Sequence, residues 1–144
     1  MGFTLVELII VIAIILTLCA IAIPVFSSYT YRTRIARAKV EIRVLEKEIT
    51  AFRIIHMKFP DTFDELGLGV VRDPWGNPYR YLPIAGTPKG LLRKDHSMVP
   101  VNRDYDLYSM GKDGKSKPPF TAKASQDDIV RANDGEYVGL VYLY

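Results

Sequence analysis

Cysteine occurs once, at position 19, so no disulfide can form within this 144-residue chain in any compartment. Histidine occurs only as His56 and His96, and no Cys/His spacing suits zinc. A phosphate-cradling glycine loop is missing, and scattered Ser and Asp residues assemble no triad. Long basic runs are missing too: the formal net charge is +3, which argues against nucleic-acid binding. These absences point away from an enzyme. They also leave the region beyond the first apolar run without a covalent staple.

What is present is a sharp asymmetry. Residues 8–26 (LIIVIAIILTLCAIAIPVF) carry no charge, and almost all charged residues lie downstream. At about 1.5 Å of rise per residue, such a run spans a bilayer core as a helix. A cleaved secretory signal fits poorly, because the stretch is too long and no small-x-small site follows it. A lipoprotein signal at Cys19 fits poorly as well, because Leu18 stands where a small residue is wanted. A retained membrane helix is the remaining reading.

Two residues resist a simple anchor. Glu7 is the only charge between Phe3 and Phe26, and a carboxylate in hydrocarbon is costly and usually functional. From composition alone, a place at headgroup level explains it equally well. Pro24, near the far end, removes a backbone donor and kinks a helix.

Beyond the run the period stays helical. Ile35, Ala38, Ile42, Leu45, Ile49 and Phe52 share one face, charges take the others, and no Gly or Pro interrupts residues 25–59. One helix is expected from Phe3 to about His56, roughly 80 Å long. Its apolar half must lie in lipid or against other copies. Phe59-Pro60-Asp61 stops it.

Residues 60–144 are rich in turn signals. Asp73-Pro74-Trp75-Gly76-Asn77-Pro78-Tyr79 reads as a tight turn capped by an aromatic, and Asn133-Asp134-Gly135 as a turn. Strands are expected at Tyr79–Leu82, Tyr105–Met110 and Tyr137–Tyr144.

Gly2-Phe3-Thr4-Leu5-Val6-Glu7-Leu8 and the apolar run behind it resemble the processing site of type IV pilins and type II secretion pseudopilins. The strings Asp73–Tyr81 and Asp106–Gly114 resemble two motifs of the major pseudopilins; no motif is recognised in Pro83–Arg103. The resemblance implies an α+β, pilin-like fold: a long N-terminal helix, apolar then amphipathic, packed on a small antiparallel sheet with a C-terminal loop region. It divides the chain into a residual leader (1–2), an assembly half-helix (3–26), an amphipathic half-helix (27–58) and a periplasmic domain (59–144).

The same resemblance implies cleavage between Gly2 and Phe3 by a prepilin peptidase, methylation of the Phe3 nitrogen, and Glu7 and Pro24 as the assembly glutamate and helix proline. Residues four apart share a helix face, so Glu7 stands ready for the N-terminal ammonium of a neighbouring Phe3. A leader longer than two residues is expected. Arg32, Arg34, Arg37 and Lys39 follow the helix, where the positive-inside rule would put cytoplasm, so the orientation expectation rests on the resemblance. The implied role is a major pseudopilin of type II secretion, a non-enzymatic homo-oligomeric filament subunit. Its implied partners are an inner-membrane assembly platform and minor pseudopilins. A type IV pilin of a surface filament is the alternative. Calcium in the C-terminal loop is implied too, with Asp113, Asp127 and Asp128 as candidate ligands.

Overall fold

The computed structural model describes every residue except Met1, Phe3 and Ser97. Two compact units make up the chain, Met1–Thr33 and Arg34–Tyr144. A single helix, α1 (Leu5–His56), forms the first and opens the second.

In the first unit every described residue from Thr4 to Tyr29 is exposed, including a dense set of Ile, Leu and Val side chains. Three threonine hydroxyls there turn inward on the backbone. Thr17 donates to the Ala13 carbonyl, and Thr30 and Thr33 donate to those of Ser27 and Tyr29 at 2.9 and 3.0 Å. A helix meets its own backbone polar groups, and one with so apolar a surface suits lipid rather than water. The span is long and apolar enough to cross a membrane. The helix continues through Pro24, which supplies no N–H to the turn before it.

In the second unit the stripe Ala38, Ile42, Leu45 and Ile49 is buried, with Ile35 packed against it, as the period requires. Met57 adopts a left-handed conformation (φ 57°) directly after the helix, and Pro60 disfavours helical backbone at Phe59. The stripe packs on a four-stranded sheet, β1 (Arg80–Pro83), β2 (Tyr105–Ser109), β3 (Ile129–Ala132) and β4 (Tyr137–Leu140). All neighbours are antiparallel, and spatial order equals chain order. The architecture is α+β and pilin-like in layout.

The sequence predicts three strands, and the described residues form four. The additional one is β3, Ile-Val-Arg-Ala, in which every residue is buried. A strand covered on both faces shows no apolar–polar alternation, so its sequence gives little sign of it. The final strand is shorter than the expected Tyr137–Tyr144, because Val141–Leu143 winds into a 3₁₀ turn.

Successive residues of the central strands serve opposite layers. Tyr105, Leu107 and Ile129 join Ala38, Ile42, Leu45 and Ile49 in the helix-side core. Val130 and Ala132 meet Val101, Phe120 and Val141 in a second core on the other face. That second layer is built from loop: Lys94 bridges Pro119, Val101 N–H donates to the Arg93 carbonyl, and Phe120 N–H donates to the Lys94 carbonyl. The unrecognised segment 83–103 is therefore structural cover for the sheet.

Candidate assembly helix and C-terminal loop

Thr4 is the residue before α1, and its side chain and that of Glu7 cap the helix reciprocally. Thr4 N–H and Oγ1–H both donate to Glu7 Oε2, at 2.9 and 2.8 Å, and Glu7 N–H donates to Thr4 Oγ1 at 3.3 Å. A Thr and a Glu three residues apart form a capping box, which satisfies backbone donors that a helix start leaves open. The negative group also sits at the positive end of the helix dipole. Phe3, the expected partner of Glu7, lies outside the described residues. Gly2 precedes the helix and is exposed, and Pro24 lies within it.

The two strings that stood out beyond the helix meet in space. Asp73 Oδ1 accepts from the N–H groups of Trp75 and Asn77 at 3.0 and 2.8 Å, which folds the Pro-Trp-Gly turn. Asp73 Oδ2 accepts from the Ser109 hydroxyl at 2.6 Å, and Ser109 Oγ accepts from Gly111 N–H at 3.1 Å. Asn77 Nδ2 donates to the Gly111 carbonyl at 2.8 Å. Asp73 and Ser109 are both buried, so each bond lies in a setting where losing it is costly.

Gly111 closes this lock because no other residue fits. Its φ is +64°, and a Cβ there would run into the backbone carbonyl and carboxylate of Asp127. Gly111→Ala is expected to cost about 3 kcal/mol, combining left-handed strain with the collision. Gly67 shares the left-handed backbone (φ +70°) but faces open space, so Gly67→Ala should cost only about 1 kcal/mol. Thermal unfolding of the two variants, side by side, measures the difference.

Of the three loop acids, two come together. Asp127 Oδ2 accepts from Asp113 N–H at 3.1 Å, while Asp113 Oδ1 accepts from Lys115 N–H at 2.8 Å. Asp128 goes elsewhere. It is fully buried, and its Oδ2 accepts from Arg93 Nη2 at 2.8 Å and from the Ser116 hydroxyl at 2.5 Å. Burial pushes its carboxyl up to about 6, against the downward pull of Ser116 and Arg93. Among the described residues no three His, Cys, Asp or Glu side chains converge as a metal site requires. Of the three candidate acids, Asp113 and Asp127 are joined in the loop and Asp128 is turned to the buried Arg93.

Two buried arginines organise the domain, and neither was expected. Arg131 Nε donates to Glu46 on α1 at 2.6 Å. Its Nη1 and Nη2 grip both oxygens of Asp104 at 2.7 Å, and the guanidinium lies 4.1 Å from the Tyr105 ring centroid. Burial works to lower the Arg131 pKa, but the bonds with Asp104 and Glu46 hold it above its ordinary value. Arg93 serves the opposite face, its N–H donating to Asp106 Oδ2 at 2.7 Å. The signal that would have found them is an arginine inside otherwise apolar context, Leu91-Leu92-Arg93 and Ile129-Val130-Arg131.

The chain is similar in sequence to known proteins. It is 29% identical over 135 residues to the type II secretion system core protein G of Pseudomonas aeruginosa, covering 79% of this chain and 84% of that protein. It is 26% identical over 151 residues to the type IV major pilin protein PilE1 of Neisseria gonorrhoeae, covering 99% and 90%. The chain is pilin-like. To a Pseudomonas aeruginosa fimbrial protein this pilin-like chain is 56% identical over 45 residues, 31% of its own length and 29% of that protein's. No family profile matches it. No solved structure matches it either.

Proposed function

We propose that this pilin-like chain is the major pseudopilin of a type II secretion system, held in the inner membrane by α1 with its domain in the periplasm. The filament role is carried by one observation: from Thr4 to Tyr29 every described side chain is exposed, and almost all are apolar. Such a surface needs lipid while the subunit is stored and sister helices once it is assembled. Cleavage between Gly2 and Phe3 would leave the Thr4–Glu7 box intact and create an ammonium at Phe3. That ammonium, on a neighbouring copy, is the natural partner for Glu7, and the pairing sets axial register among otherwise uniform helices.

The pseudopilin reading is favoured over the type IV pilin by the lock from Asp73 through Ser109 to Gly111, which unites two pseudopilin-like strings, and by the likeness to core protein G. Similarity to pilins named as fimbrial supports the alternative, a surface filament. Mass spectrometry of the mature protein is the first test. A chain beginning at N-methylated Phe3 is the expected result, and a retained Met1-Gly2 would overturn the processing claim. A deletion strain then separates the two filaments: lost protein export with intact surface pili supports the pseudopilus, and the reverse supports the pilus.

A further inference from the structure

The C-terminal loop is stapled to the sheet, and the staple is visible. We propose that the Arg93 guanidinium holds the place a divalent cation would otherwise take, so that loop 111–128 is secured by an internal charge and needs no calcium. Arg93 Nη1 donates to the Ser116 hydroxyl oxygen at 2.5 Å and to the Lys117 carbonyl at 2.8 Å, and Nη2 donates to Asp128 Oδ2 at 2.8 Å. A carboxylate, a hydroxyl and a backbone carbonyl are the donor types a hard cation seeks. Here they converge on an organic cation instead.

The surroundings are built for it. Arg93 is 1% exposed and Asp128 0%, and the guanidinium carbon lies 4.4 Å from the Tyr108 ring centroid and 5.0 Å from that of Phe120. A planar, weakly hydrated cation between aromatic faces suits arginine and not a metal ion. Arg93 Nε and Asp128 Oδ1 are the two buried side-chain atoms left without a hydrogen bond among the described residues. They are the atoms that a second, parallel bond of an arginine–carboxylate fork would use. Lys112, Lys115, Lys117 and Lys123 stand exposed on the same loop and further disfavour a divalent ion.

Segment 83–103, without a recognised motif, delivers Arg93. The stretch between Asp113 and Asp127 holds Ser116 and Lys117, which bind it.

Thermal unfolding of the full chain in detergent tests this, with calcium and with chelator. The unsubstituted protein is expected to melt at the same temperature in both. Arg93→Met should lower that temperature by at least about 10 °C, because Asp128 becomes an uncompensated buried charge. The double variant Arg93→Met, Asp128→Leu should recover most of the loss. A calcium-dependent rise in the unsubstituted melt would overturn the proposal, and so would strictly additive losses in the double variant. If Arg93→Met does not fold, Asp128→Asn against Arg93→Met, Asp128→Leu makes the same comparison, and the calcium comparison on the unsubstituted chain stands alone.

Discussion

Glu7→Ala is expected to abolish filament assembly while the protein still inserts in the membrane. The apolar run that governs insertion is untouched, so fractionation should find the variant with the membranes. What it loses is the carboxylate that pairs with a neighbouring ammonium. A charge-assisted bond contributes about 2 kcal/mol, or roughly thirtyfold in the constant for adding each subunit. Compounded along a fibre, that is enough to eliminate polymer. The alanine also removes the capping box, worth about 1 kcal/mol to the helix start. Glu7→Gln separates the two roles: its amide oxygen still accepts from Thr4, but it has no charge to offer. Assembly failing in Glu7→Gln, with helix content unchanged by circular dichroism, assigns the defect to pairing. Filaments of normal yield from either variant would end the pairing account.

Arg131→Met is expected to destabilise the domain by about 3 kcal/mol, seen as a melting temperature lower by roughly 10 °C. The guanidinium is 4% exposed at the side chain, and it ties Glu46 of α1 to Asp104 before β2. Without it two partly buried carboxylates face each other's neighbourhood with no cation between them. Methionine keeps most of the packing volume, so the loss reports charge and hydrogen bonding more than a cavity. Arg131→Lys should fall between, since an ammonium cannot hold Glu46 and both oxygens of Asp104 together. A melt of Arg131→Met indistinguishable from the parent would show that the network contributes nothing net.

The helix was readable because its information is local. A stripe recurring every three or four residues names its own buried face, and Ala38, Ile42, Leu45 and Ile49 are buried as that pattern says. The capping pair Thr4 and Glu7 is likewise a short-range signature. The Trp75 turn could be read as a turn, but nothing in either string told that Asp73 would reach Ser109, 36 residues on. Arg131 and Glu46 are separated by 85 positions, and Arg93 and Asp128 by 35. Pairings over such distances leave no periodicity to detect. Asp128 stands with Asp113 and Asp127 only through the family resemblance, because adjacent acids in a loop carry no sign of which one is buried. The backbone alternation leading into β3 turns Asp127 and Asp128 to different surroundings, and only the fold reveals it.

The order of the strands has a consequence for how the chain matures during synthesis. Because β1 to β4 lie side by side in the sequence in which they are made, each hairpin can zip as soon as its second strand has crossed the membrane. The bolts arrive later. Arg131 is translated long after Glu46, and Asp128 long after Arg93, so both layers stay open until the last sixth of the polypeptide emerges. A nascent chain stalled before β3 would therefore present a half-made sheet with an unanchored helix, a form that quality-control proteases recognise readily.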